Sequence, residues 1–248
     1  MKCNIDKSKL RNNNLNTKTS IQSHPVQTTH FYSEGKTDFD AVKQYSLRSL
    51  NVSVRRAESG IVNHPFVPIN AKDDEFDAYL ASAKEDILEA STLEDIYSIV
   101  TPMHLPLFFR HSTQYLSLED YSKCLAIMWR LLEFPNTNPF VSVYTFIDMF
   151  KDADKTFLMD EDELEIYNNL PEEIVVYRGI NEHGSVNAIS WSLDKEQADW
   201  FAHRFDMLGT AGSLYQATIK KEYVLAYISR EQEVVIDFTK ATNIKKIN

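Results

Sequence analysis

The sequence predicts an α+β protein, with a helical part followed by a compact β-rich part. Two observations predict this order. Apolar residues recur at helical spacing between residues 71 and 170, and short β-rich segments follow one another closely from Pro171 onwards. Because parallel strands need long crossover connections, strands this close together should pair antiparallel. We therefore expect a mainly helical region at residues 37–170 and a β-rich unit at residues 171–248.

The composition is that of an ordinary globular protein, and it excludes several classes. Of the 248 residues, 43% are hydrophobic and 25% are charged. The 6 glycines form neither a Rossmann nor a P-loop pattern. No apolar run is long enough for a membrane span, and the polar start is not a secretory signal. Cys3 and Cys124 make neither a disulfide framework nor a zinc site. We therefore expect a cytoplasmic protein without a membrane partner.

The net charge of −10 is unevenly distributed along the chain. Residues 1–70 carry 10 basic and 5 acidic side chains, residues 71–170 carry 7 and 20, and residues 171–248 carry 9 and 11. The acidic middle disfavours non-specific binding of nucleic acid or anionic lipid. Two interpretations of the basic start remain open, a solvated tail and a contact for a polyanion.

The first 36 residues are rich in Asn, Ser, Thr, Lys and Gln and contain almost no apolar core. This composition predicts a disordered or partner-ordered polar tail at residues 1–36. A short helix is expected from Phe39 to Leu50, followed by an irregular stretch with Pro65 and Pro68.

Capping patterns mark the helices of the middle region. Ser91 with Glu94 predicts a helix that runs through Val100, and Ser117 with Asp120 predicts one that runs to about Glu133. Further helices are expected at Phe76–Leu88, Val141–Phe150 and Asp160–Asn169. We interpret Phe108, Phe109, Cys124, Met128 and Trp129 as core residues, not as part of a cofactor site.

Five β-like segments and one helix are predicted after Pro171. The helix extends from Asp194 to Phe205, with Ala198 and Ala202 on one face. The β-like segments are Ile174–Tyr177, Val186–Ser192, Leu214–Ile219, Tyr223–Ile228 and Glu233–Phe238.

Three short motifs lie at the ends of these strands. They are Tyr177-Arg178-Gly179, Ser190-Trp191-Ser192 and Glu231-Gln232-Glu233. Strand side chains alternate, so Ser190 and Ser192 should share one face, with Trp191 turned to the core. By the same rule Glu231 and Glu233 should project together from one strand.

The order of these motifs resembles the mono-ADP-ribosyltransferases of the Arg–Ser–Glu class, a fold of many bacterial toxins and phage enzymes. The resemblance covers about residues 171–240. It implies a core of two facing, mostly antiparallel sheets with an NAD cleft between them. Trp191 departs from the family pattern, because the family often has Thr between the two serines. The loop before Glu231 is short, whereas the loop of the toxins helps to recognise the target.

The resemblance also implies roles for individual residues. Glu233 would stabilise the oxocarbenium-like ribose, Glu231 would orient and deprotonate the acceptor, and Ser190 would orient Glu233. For NAD binding, Arg178 would pair with phosphate or ribose, and backbone groups near Gly179 would hold the nicotinamide amide. Further candidate contacts to NAD are Tyr177, Ser192 and Phe201.

The expected activity is ADP-ribosyl transfer from NAD, which is a substrate and not a permanently bound cofactor. The expected acceptor is a protein arginine, because family members with a glutamate at the place of Glu231 modify guanidinium groups. A nucleic-acid base, NAD hydrolysis without an acceptor, and a non-enzymatic partner-binding module remain alternatives. The resemblance implies that the protein is an intracellular toxin or phage-conflict effector, and an antitoxin or inhibitor protein would be the partner of such a toxin. His183 and His203 show no metal-ligand spacing, so no metal is expected.

Overall fold

The computed structural model describes residues 31–52, 55–56, 62–132, 134–181, 184–204 and 212–247. The chain is α+β, as expected, with helices first and strands second. The helical part consists of α1 (Phe39–Ser49), α2 (Phe76–Glu89), α3 (Leu93–Ile99), α4 (Leu105–Ser112), α5 (Leu118–Leu131), α6 (Val143–Asp152), α7 (Lys155–Leu158) and α8 (Glu161–Asn169). A small hairpin, β1 (Arg55–Arg56) with β2 (Val62–Asn63), lies between α1 and α2.

Side-chain caps explain where most of these helices begin. Ser117 accepts a hydrogen bond from the Asp120 backbone N–H at 3.2 Å, which confirms the predicted start of α5. The predicted cap of α3 is wrong by one residue. Thr92, not Ser91, is the N-cap, and Asp95 completes the capping box. Helix α4 was not predicted, although Pro106 is tolerated in its first turn.

The strands after Pro171 form one antiparallel sheet of six strands in the described residues, with the order β6-β7-β4-β3-β5-β8. Its strands are β3 (Glu173–Ile180), β4 (Ser190–Ser192), β5 (Ser213–Lys220), β6 (Val224–Ile228), β7 (Glu233–Ile236) and β8 (Thr242–Lys246). The sequence did not predict β8. The predicted strand at Val186–Ser192 is shorter in the structure and begins at Ser190.

The sheet has two halves of three strands each. Strands β3, β5 and β8 form one half, and β6, β7 and β4 form the other. Within the described residues, the halves are paired only where Tyr177 of β3 lies opposite Ser192 of β4. This short connection within the sheet lies beside the motifs that the sequence singled out.

Helix α9 (Lys195–His203) follows β4 and packs on β3 and β5. Asp194 caps α9 through a 2.7 Å hydrogen bond from the Gln197 backbone N–H. Ala198 and Ala202 are both buried, as the predicted apolar face requires. The predicted end of this helix at Phe205 lies outside the described residues.

The buried core is continuous from the helical part into the sheet. One apolar cluster contains residues of α2, α5 and α6 together with residues of β3, β6 and β7. Cys124 is buried in this cluster, as predicted. The helices therefore pack directly against the sheet.

The polar tail was expected to include residues 31–36, but part of this segment packs on the helices. The Phe31 backbone N–H donates to Asp152 at 3.2 Å, and that of Ser33 donates to the Leu116 carbonyl at 2.8 Å. Residues 1–30 of the expected tail lie outside the described residues. No helix in the described part of the chain is long and apolar enough to cross a bilayer.

Candidate active site

Arg178 follows Tyr177, the residue through which β3 pairs with β4. Its Nη1 donates to the backbone carbonyl of Ser190 at 2.6 Å, and its Nε donates to that of Ser185 at 3.0 Å. The guanidinium therefore connects β3 to the segment that leads into β4. A planar guanidinium with several fixed donors is suited to holding two carbonyls at once.

Glu233 is the first residue of β7 and lies directly opposite Ser192 of β4. Its side chain is 9% exposed. The Trp129 indole N–H donates to Glu233 Oε2 at 3.1 Å, and the Ser190 side chain is close enough to lower the pKa of this carboxylate. Glu233 is thus a buried carboxylate that neighbouring donors hold in one orientation.

The three residues of the predicted Arg–Ser–Glu set come together around this carboxylate. The backbone carbonyl of Ser190 accepts from Arg178, and the Ser190 side chain lowers the pKa of Glu233. The opposite charges of Arg178 and Glu233 also attract each other. The structure thus brings together side chains that are up to 55 positions apart in the sequence.

Burial shifts the pKa of both charged groups towards the neutral form. Burial raises the pKa of Glu233, while hydrogen bonds from Ser190 and Trp129 and the charge of Arg178 oppose this rise. Burial lowers the pKa of Arg178 to about 10, and the charge of Glu233 opposes that change. Arg178 is therefore still a cation at neutral pH.

The prediction that Glu231 and Glu233 share a strand is wrong. Residues Ser229–Glu231 form a 3-10 turn, and β7 begins only at Glu233. Between them, Gln232 has a positive φ of 47° and a left-handed conformation, so the alternation of an extended strand does not apply. Glu231 is nevertheless close enough for its charge to raise the pKa of Glu233.

Ser192 holds this turn against β4. Its hydroxyl lies 3.5 and 3.4 Å from the carbonyls of Glu231 and Gln232, and it accepts a 3.0 Å hydrogen bond from the Asp194 backbone N–H. Tyr177 pairs with Ser192 in the sheet and is half-buried. The side chain of Ser192 thus has a local structural role beside the one expected towards NAD.

Gly179 is required by the packing of α9. A Cβ atom at this position would lie 1.9 Å from the Ala198 carbonyl oxygen and 2.4 Å from the Ala202 nitrogen. Phe201, on the same helix, contacts Trp200 and the guanidinium of Arg204. The structure thus assigns Gly179 a packing reason that is independent of NAD, and it groups Phe201 with an aromatic cluster on α9.

Trp129 is a neighbour of Glu233 that the sequence did not indicate. It is a core residue, as predicted, and is 4% exposed. Its contact with Glu233 spans 104 residues, and no local spacing pattern signals a contact at that range. A buried indole needs an acceptor for its N–H, which is the one signal that Trp129 had a polar partner to find.

The described residues contain no group of three or more His, Cys, Asp or Glu side chains that would hold a metal ion. His203 pairs with Asp199 on the surface at 3.5 Å, and His183 lies outside the described residues.

No family model matches the chain, and no curated protein or solved structure matches it.

Proposed function

We propose that the chain is an NAD-dependent mono-ADP-ribosyltransferase whose site is formed by Arg178, Ser190 and Glu233. The approach of these three groups beside the Tyr177–Ser192 pair carries the proposal. The two sheets that the resemblance implies would correspond to the two groups of three strands, with NAD bound between them.

Glu233 has the chemistry that cleavage of the nicotinamide–ribose bond requires. In this step the nicotinamide leaves with the electron pair of the bond, and positive charge develops on the ribose, as in glycoside hydrolysis. A fixed carboxylate beside the ribose stabilises that charge without reorganising. Glu233 is buried and accepts a hydrogen bond from Trp129, and the nearby Ser190 side chain lowers its pKa, which suits it to this task.

Arg178 would bind the phosphates of NAD. Two of its five N–H donors are used on the Ser190 and Ser185 carbonyls, so the guanidinium is fixed before a ligand arrives. A fixed fork suits bidentate phosphate binding and loses little entropy when it binds. The backbone near Gly179 and the rings of Tyr177 and Phe201 remain the proposed contacts for nicotinamide.

The proposed acceptor is the guanidinium of a protein arginine. Glu231 would orient this group and take a proton from its attacking nitrogen as the new bond to the ribose forms. Its place in the turn next to Glu233 is consistent with this role, since the two carboxylates interact.

Hydrolysis of NAD without an acceptor is the second candidate. The observation that favours it is the position of Glu231, which lies outside β7 and does not share a strand face with Glu233. Hydrolysis would use the same Arg178, Ser190 and Glu233, but water would replace the acceptor.

Labelled NAD, incubated with separate protein and RNA fractions, tests the proposal and its alternatives. We expect label in protein, and arginine-specific removal of that label. Label in RNA alone would shift the acceptor to a nucleic-acid base, and free ADP-ribose alone would favour hydrolysis. If the protein neither binds nor consumes NAD, the proposed function is wrong and a partner-binding module is favoured.

A further inference from the structure

The helical part of the chain reaches the candidate site at the C-terminal end of α5. There the Trp129 indole N–H donates to Glu233 Oε2 at 3.1 Å, with the two side chains 4% and 9% exposed. An indole N–H can only donate, so Glu233 is the acceptor in this hydrogen bond. The bond is stronger when that oxygen belongs to a charged carboxylate.

Aromatic packing holds the donor in place. The Trp129 ring meets Phe146 edge-on at 5.6 Å and Phe150 edge-on at 4.9 Å, and both phenylalanines belong to α6. Rotation of the indole away from Glu233 would break both ring contacts. The hydrogen bond is therefore fixed by the core of the helical part.

The next residue of α5 holds the other end of the same turn. Arg130 Nη2 lies 2.6 Å from Glu163 Oε2, and Glu163 Oε1 accepts hydrogen bonds from the Ser229 backbone N–H at 2.9 Å and from its hydroxyl at 3.1 Å. Glu163 is 1% exposed and completes the capping box of α8 with Asp160. We call residues 229–233 the glutamate turn.

We propose that the end of α5 positions the glutamate turn from both sides, with Trp129 and Glu163 as positioning residues. Trp129 fixes the orientation of the Glu233 carboxylate, and Glu163 fixes the start of the turn that carries Glu231. The catalytic consequence rests on the proposed function, whereas the effect on the carboxylate itself does not.

The surroundings of Glu233 change its pKa in both directions, and Trp129 is one of the groups that lower it. Burial raises the pKa of Glu233, and the charge of Glu231 raises it further. Ser190, Trp129 and Arg178 lower it. Loss of the indole donor therefore removes one of three stabilising partners and leaves both destabilising ones in place.

Trp129→Phe tests the first half of the proposal, because it removes the N–H and keeps an aromatic ring. We expect kcat for nicotinamide release to fall about 10-fold or more, with the KM for NAD nearly unchanged. The acid limb of the pH profile should move up by about one pH unit. A purely structural role would change stability but would not move this limb.

Trp191→Phe is the matched control. Trp191 is also buried and donates its indole N–H at 2.8 Å, but to the backbone carbonyl of Ala188. We expect this variant to have a lower melting temperature, while the acid limb of its pH profile stays at the pH found for the parent. Equal acid limbs in the parent, the control and Trp129→Phe would overturn the proposal for Trp129.

A readout without turnover separates this inference from the proposed function. With ¹³C-labelled glutamate, NMR should show the Glu233 carboxyl titrating at higher pH in Trp129→Phe than in the parent. If that shift appears in a protein that does not consume NAD, the positioning role is supported and the proposed function fails. If NAD is consumed and the titration does not move, the positioning role fails alone.

Glu163→Gln tests the second half of the proposal. Transfer to the acceptor should fall at least about 10-fold more than NAD hydrolysis does, because the variant loosens the turn that carries Glu231. Ser229→Ala removes one donor to Glu163 and should give the same pattern more weakly if Glu163→Gln does not fold.

Asp237→Asn is the matched control at the other end of β7. Asp237 is buried and pairs with Lys151 at 2.7 Å, so the variant also weakens a half-exposed ion pair. We expect transfer and hydrolysis to change together in this variant. If they also change together in Glu163→Gln, the proposal for Glu163 is wrong.

Discussion

The guanidinium of Arg178 lies 2.6 Å from the backbone carbonyl of Ser190, at the point where β3 and β4 stop pairing. The side chain continues the connection between the strands beyond the Tyr177–Ser192 pair. The same group is a cation beside the buried carboxylate of Glu233. A structural brace and a phosphate ligand are thus compatible roles for Arg178.

Arg178→Ala should weaken NAD binding while the chain still folds. Loss of a charged phosphate contact costs about 1.5–3 kcal/mol, which is roughly 10- to 150-fold in affinity. Loss of the two carbonyl contacts should also lower the melting temperature. Calorimetric titration with NAD measures the affinity, and circular dichroism checks the fold.

Two further variants test whether the guanidinium of Arg178 itself binds NAD. Arg178→Lys keeps the charge without the fork and should bind NAD with intermediate affinity. Arg110→Ala, on the exposed end of α4, should bind NAD like the parent. An unchanged affinity in folded Arg178→Ala would remove Arg178 from the site.

Residues 1–30 should be dispensable for NAD cleavage. Their polar composition offers too little apolar surface to offset the entropy of ordering. A chain that starts at Phe31 keeps the contacts of Phe31 with Asp152 and of Ser33 with Leu116. Nicotinamide release by this truncated protein should match that of the full chain.

A longer truncation gives the control. A chain that starts at Phe39 loses those contacts and the Asp38 cap of α1, so its melting temperature should fall. If the chain starting at Phe31 is stable but inactive, the tail takes part in the reaction.

Stability should fall as the pH drops from about 7 towards 4. Burial lowers the pKa of His64, and burial lowers that of His104 to about 4. In the unfolded chain both titrate near the usual 6.5, so the unfolded state binds protons first in this window and is favoured. For His104 alone the loss is at most about 3 kcal/mol.

Urea unfolding at pH 7 and pH 5 checks this dependence. His104 bonds to Asn63 at 2.5 Å and to Thr101 at 2.8 Å, so His104→Gln keeps polar partners while removing the titration. The difference between the two pH values should shrink in His104→Gln. In His111→Gln, which changes an exposed histidine, the difference in unfolding free energy between the two pH values should equal that of the parent. A difference that does not shrink would show that other groups cause the acid loss.

Local signals predicted local structure, and the site depends on features that are not local. The Ser117 cap and Asp120 are three residues apart, so the start of α5 was readable from the sequence. The positive φ of Gln232 was not readable, because no glycine marks it. The contact of Trp129 with Glu233 spans 104 residues and depends on how the helices pack on the sheet. The sequence therefore predicted the local start of α5 but not the geometry around Glu233.

The two glutamates of the turn differ in burial, in partners and in backbone. Glu233 is 9% exposed and accepts a hydrogen bond from Trp129, while Glu231 lies in the preceding 3-10 turn and is more exposed. The positive φ of Gln232 separates them. Different roles are therefore expected, with Glu233 beside the ribose and Glu231 towards the acceptor.

Glu233→Gln should abolish both transfer and NAD hydrolysis, whereas Glu231→Gln should lose transfer and keep slow hydrolysis. Loss of one such electrostatic contact typically lowers the rate roughly 10²–10³-fold. Removal of the Glu231 charge should also lower the pKa of Glu233, so the acid limb of residual hydrolysis should move to lower pH. Nicotinamide release, measured beside acceptor labelling, separates the two activities. Normal transfer by Glu231→Gln would show that another group activates the acceptor, and the arginine assignment would fall. Full activity of both variants would place the site elsewhere and remove the resemblance to the transferases with it.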